Sequence, residues 1–158
     1  MSDEQIQRGL EQFHGRKRRF VVQEEGPNIF IDDYAHHPTE VGVTLDAARK
    51  RFPDHKIVAI FKPHRASRVK YFANAFSEAL EKADRIYLLE FTSIDDKQDG
   101  TDIDIHYLEE RTPGAVVIDE KEQGAGILAA EAPACYVFMS SKDIYELKDK
   151  VREAVKTN

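Results

Sequence analysis

Six short apolar runs punctuate the chain: Arg19–Gln23 (RFVVQ), Asn28–Asp32 (NIFID), Ile57–Phe61 (IVAIF), Ile86–Phe91 (IYLLEF), Ala115–Asp119 (AVVID) and Ala134–Met139 (ACYVFM). Several carry apolar residues at successive positions without alternation. A strand with one wet face alternates, whereas a strand buried on both faces does not, as in a parallel sheet covered by helices. Between the runs the period changes to that of a helix. Val41, Leu45, Ala48 and Phe52 share one face; so do Phe72, Phe76, Leu80 and Ala83, and Ile144, Leu147, Val151 and Val155. Strands alternating with helices predict an α/β fold, with an open, mostly parallel sheet and helices on both faces. Ligands of such sheets bind beyond the carboxyl ends of the strands. The polar stretch Ser93–Asp102 is predicted to be a surface connection.

Length and composition narrow this to one domain, because 158 residues at 41% hydrophobic content suit a single core. The net charge of -6 argues against nucleic acid or an anionic membrane surface as the main partner. The opening residues have neither the basic head nor the apolar core of a signal peptide, and no apolar run approaches the roughly 20 residues of a membrane span. A soluble, cytoplasmic protein is expected. Cys135 is the one cysteine and lies in an apolar run, so it is read as a buried thiol.

Two polar clusters interrupt the pattern, each following a predicted strand. In the first, Asp32-Asp33-Tyr34-Ala35-His36-His37-Pro38, two carboxylates, a phenol and two imidazoles precede a proline suited to the first position of a helix. Side chains alternate across a strand, so Asp32 and Asp33 are predicted to point to opposite sides, with Asp33 facing the ligand cleft. An equally weighted alternative has the two aspartates capping backbone amides at the helix start while His36 and His37 are merely solvated. A metal site of His36, His37 and Glu40 is a weaker reading, since adjacent histidines diverge; no metal ligand is assigned.

In the second cluster, His64, Arg65 and Arg68 follow Ile57–Phe61, and Ser67 is placed to cap the next helix. Cations at a helix amino end are unfavourable unless an anion joins them. A carboxylate or phosphate there gains both the amide field and an arginine fork. The alternative is surface pairing of the arginines with acids such as Glu78 or Asp84.

Arg18–Phe20 (RRF), Asp32–Glu40 (DDYAHHPTE), Pro63–Arg68 (PHRASR) and Val137–Ile144 (VFMSSKDI) together resemble, in order and spacing, the C-terminal domain of Mur ligases over nearly the whole chain. Within that family the resemblance is nearest to the member that joins L-alanine to UDP-N-acetylmuramate. It implies a Rossmann-like domain, the third of three, closing over a UDP-sugar domain and a central ATPase domain. Residues 1–18 would then be a leading helix and link to those upstream domains. No G-x-x-x-x-G-K-[ST] arrangement occurs in this chain, so ATP phosphates, with their magnesium, are expected to be held mainly by the central domain.

The implied reaction converts the muramoyl carboxylate to an acyl phosphate, which the amine of L-alanine attacks. By the same resemblance Asp33 hydrogen-bonds the ATP ribose with His37 beside it at the nucleotide. His36 and His64 are the catalytic histidines, and Tyr34, Arg65 and Arg68 bind substrate, the arginines holding the amino-acid carboxylate. The chain departs from the family at Ala66, where many relatives carry a bulkier group, and at Ser140–Ile144 (SSKDI), where they carry a glycine-rich motif. Gly124-Ala125-Gly126 precedes the last strand and is not that motif. The murein-recycling ligase that attaches a tripeptide to the same sugar is the rival within the family, although its motif usually has phenylalanine in place of Tyr34. Outside it, a stand-alone binding module or a metal-dependent hydrolase using Asp33, His36 and His37 remains.

Overall fold

Ile57–Phe61 (β3) and Cys135–Met139 (β6) are buried at every position. They pair in parallel at the centre of a sheet, with Ile57 opposite Cys135 and Phe61 opposite Met139. The computed structural model describes residues 20–63, 66–90, 104–140 and 144–156. Within these, the sheet has six strands in the order β1-β2-β6-β3-β4-β5. The others are β1 (Val21–Glu25), β2 (Asn28–Asp33), β4 (Arg85–Leu88) and β5 (Ala115–Val117). All neighbours are parallel except β1 and β2. That antiparallel hairpin turns at Gly26, whose φ of 61° suits glycine.

The helices divide between the two faces as the apolar residues dictate. On one face lie α1 (Pro38–Arg51), α2 (Ala66–Tyr71), α3 (Ala73–Leu80) and α4 (His106–Arg111), burying Val41, Leu45, Val69, Phe76, Leu80 and Leu108 against Ile29, Ile31, Ala59 and Phe61. On the other lie α5 (Glu122–Ala129) and α6 (Tyr145–Lys156), burying Leu128, Leu147 and Val151 against Phe30, Ile60, Tyr136 and Phe138. Each large side chain so buried contributes about 1.5–3 kcal/mol relative to exposure. The result is the α/β, Rossmann-like architecture that the pattern predicts. Among the described residues no helix is long and apolar enough to cross a membrane.

At the amino ends of β3 and β4 a polar knot replaces apolar packing. Glu131 accepts from Lys56 Nζ at 2.9 Å and from Tyr87 Oη at 2.8 Å. Burial pushes the Glu131 carboxyl upward, but these two bonds together with the charges of Lys56 and Arg85 leave the group below its ordinary value. Tyr87, desolvated beside that carboxylate, is pushed up to about 12.

Candidate functional site

β2 and β3 are each followed by a helix on one face, whereas β6, between them, is followed by α6 on the other. The chain therefore parts at the carboxyl ends of β2, β6 and β3, and a crevice opens at such a switch point. Three loops rim it: the one after Asp33, the one after Phe61 and the one after Met139. Ser140 N donates to Asp33 O, and Lys62 N to Met139 O, so the strand ends are stitched together beneath it.

Strand alternation sends the paired aspartates to opposite faces. Asp32 turns toward α6, its Oδ2 lying 3.7 Å from Lys148 Nζ, and both residues are buried. Asp33 turns toward α1. Its Oδ1 accepts the Ala35 amide and its Oδ2 the Phe20 amide, each at 2.8 Å, and the residue is 4% exposed. Asp33 also borders a cleft of about 340 Å³ with Phe20, Thr39, Glu40, Val43 and Thr44. Its two oxygens thus fasten backbone, at Phe20 and Ala35 rather than at the helix start where the capping alternative puts them, and Arg68 does not line that cleft.

The helix cap itself is a histidine. His37 Nδ1 accepts the Thr39 amide at 3.3 Å, and Glu40 Oε1 reaches back to the His37 amide at 3.2 Å, with Pro38 in the first turn. This is a capping box with an imidazole in the usual serine or threonine place. Because His37 Nδ1 accepts, neutral His37 carries its proton on Nε2. His36 is the reverse: Nδ1 faces Tyr34 O at 3.1 Å and Glu40 Oε1 at 3.5 Å, so Nδ1 holds the proton. The adjacent histidines diverge, His36 toward Tyr34 (edge-on, 5.1 Å) and His37 toward Phe72 (5.1 Å).

Phe72 carries the contact to the second cluster, since its amide closes α2 on Arg68 O. Arg68 is half-buried, and its Nη1 is buried with no hydrogen-bond partner among the described residues. Asp84, an expected surface partner, instead accepts the Ile57 amide and pairs with Arg49 at 3.2 Å. A buried guanidinium nitrogen without an acceptor is costly unless an anion reaches it. His64 and Arg65 lie outside the described residues, as do Ser141–Asp143 of the altered loop.

A family model for the Mur ligase, glutamate ligase domain, matches residues 17–142. The chain belongs to the Mur ligase family. Among solved structures, a UDP-N-acetylmuramate-alanine ligase from Thermotoga maritima is 26% identical over 96% of this chain, with a TM-score of 0.62. A murein peptide ligase from Psychrobacter arcticus 273-4 is 21% identical over 90%, with a TM-score of 0.68. A MurF ligase from Thermotoga maritima, in complex with ADP, is 16% identical over 94%, with a TM-score of 0.66. This Mur ligase chain spans 33%, 30% and 36% of those three, about a third of each.

Tyr34, His36 and His37 bring three rings into the loop after Asp33. Among the described residues no group of three His, Cys, Asp or Glu could hold a metal. Sequence reasoning missed Lys62, 5% exposed at the end of β3, whose Nζ donates to Glu120 Oε2 at 2.8 Å. A lone lysine after an apolar strand reads as solvated, and nothing local points to an acid 58 residues on.

Proposed function

We propose that the chain works as the C-terminal domain of an ATP-dependent ligase that joins L-alanine to UDP-N-acetylmuramate. The observation that carries this is Arg68, whose buried Nη1 has no hydrogen-bond partner among the described residues. The 26% identity over 96% of the chain to a UDP-N-acetylmuramate-alanine ligase supports the choice of amino acid. In this reading the domain positions reactants rather than reacting itself. Arg68, with Arg65 and His64, grips the carboxylate of L-alanine and aims its amine. Tyr34, His36 and His37 border the nucleotide, and Asp33 fixes their loop. Phosphate from ATP activates the muramoyl carboxylate, and upstream domains supply the phosphate site and the sugar site.

The test is a chimera in which residues 1–158 replace the matching third of the Thermotoga maritima UDP-N-acetylmuramate-alanine ligase. It should release ADP in dependence on L-alanine, whereas the 158-residue chain alone should release none. In the chimera, Arg68→Ala should lower kcat/KM for L-alanine ten- to a hundred-fold, or about 1.5–3 kcal/mol for a charged, partly dehydrated hydrogen bond. A folded chimera with unchanged L-alanine dependence after Arg68→Ala would return the arginine to the surface. ADP release that responds to a tripeptide and ignores L-alanine would transfer the domain to the murein-recycling reaction.

A further inference from the structure

The carboxyl ends of β3 and β5 are joined by a charge pair to which the reading above gives no task. Lys62 follows β3 directly, and Glu120 lies three residues beyond β5. β4 stands between those strands, so the 2.8 Å contact from Lys62 Nζ to Glu120 Oε2 crosses the end of an intervening strand. The lysine side chain is only 7% exposed. Burying an ammonium carries a steep desolvation penalty, and well-packed apolar residues would hold two loops at least as firmly. What the ion pair supplies and an apolar contact does not is one directional geometry.

That geometry is passed on over a short path. The Lys62 amide is already fixed to Met139 O at 3.1 Å, so backbone and side chain are both pinned. Pro63 comes next; it is buried, and its ring fixes φ. α2 opens at Ala66 and contains Arg68. In sequence, three residues separate the pinned lysine from the helix that carries the guanidinium.

We propose that Lys62 and Glu120 form a positioning pair, which sets the angle at which the chain leaves β3 and thereby places Arg68 on the carboxylate of the incoming amino acid. The proposal rests on the reading of Arg68 given above. The variant to examine is Lys62→Met/Glu120→Leu, which leaves neither charge stranded, so that folding is retained where either single change would expose an unpaired ion. In the 158-residue chain, amide exchange should quicken in α2 while β3 and β6 keep their protection. In the chimera, KM for L-alanine should rise about five- to tenfold, with kcat at saturating L-alanine within about twofold and KM for ATP unchanged, because a misplaced clamp weakens ground-state and transition-state binding alike. Lys62→Arg, which preserves the pair, should restore the wild-type KM.

A double variant with wild-type α2 exchange and wild-type KM for L-alanine would overturn the positioning role. Equal losses for both substrates, together with faster exchange throughout the sheet, would overturn it too and assign the pair to stability. Insensitivity of the unmodified chimera to Arg68→Ala would instead strike the underlying reading.

Discussion

Asp33→Ala should destabilise the domain far more than removal of a loop carboxylate ordinarily does. The Ala35 amide is buried and lies 2.8 Å from Oδ1; stranding it costs about 1–3 kcal/mol. The Phe20 amide, 2.8 Å from Oδ2, is only half-buried. Water replaces the carboxylate there, for a loss of about 0.5–1.5 kcal/mol. The sum is roughly 2–4 kcal/mol, which lowers Tm by roughly 5–15 °C for a chain of this size. Asp33→Asn keeps one carbonyl oxygen for Ala35 but turns an NH2 toward Phe20, so about half the loss is expected. Calorimetry of the 158-residue chain measures all three proteins. A Tm for Asp33→Ala within about 2 °C of wild type would refute the reasoning: the amides would then have other acceptors, and the carboxylate would be spare for a ribose.

Gly124→Ala should also destabilise, although alanine favours a helix by about 1 kcal/mol. A Cβ there would lie 1.9 Å from Asp119 O, and overpacking of that kind costs about 1–3 kcal/mol. Loss of the Asp119 cap on the Gly124 amide adds about 0.5–2 kcal/mol, so a raised urea midpoint would contradict the account. Cys135, pushed by burial up to about 12, should resist iodoacetamide at pH 8 in the native state and react once urea unfolds the chain; rapid native alkylation would count against it. The hydrogen bond that His106 Nδ1 donates to Glu109 Oε1 raises the pKa of His106, so this pair adds stability that is complete below the ordinary histidine value and is lost as pH rises through the raised one. Glu109→Gln should lower the NMR midpoint of His106; an unmoved midpoint would exclude Glu109 as the cause.

The sheet was legible because its central strands carry an unmistakable pattern, with Ile57–Phe61 and Cys135–Met139 apolar throughout. The helices with long apolar stripes, α1, α3 and α6, were legible for the same reason. α4 has six residues, too few for a period, and α5 carries two glycines, one required by its closeness to Asp119. β1 is displaced toward Glu25 relative to the apolar run because pairing with β2, not hydrophobicity, sets its bounds. In the site, Pro38 at the helix start and the opposite directions of Asp32 and Asp33 follow from local rules. The partners do not: Phe20 is 13 residues from Asp33 and Glu120 is 58 from Lys62. A histidine cap was hidden as well, since His37 ranks low among residues expected to accept from a helix amide.

The place of β6 has a consequence for how the domain comes into being. Its central strand is the last of the described strands, and among them β2 and β3 meet only through it. A nascent chain ending before Cys135 therefore holds two disconnected pieces, the hairpin of β1 and β2 and the trio β3-β4-β5, each with an open edge. Such non-local pairing is slow to form and leaves apolar edges exposed meanwhile. During synthesis on the ribosome, the crevice has no existence until Cys135–Met139 has emerged, so a stop codon anywhere upstream of that strand abolishes the site together with the fold.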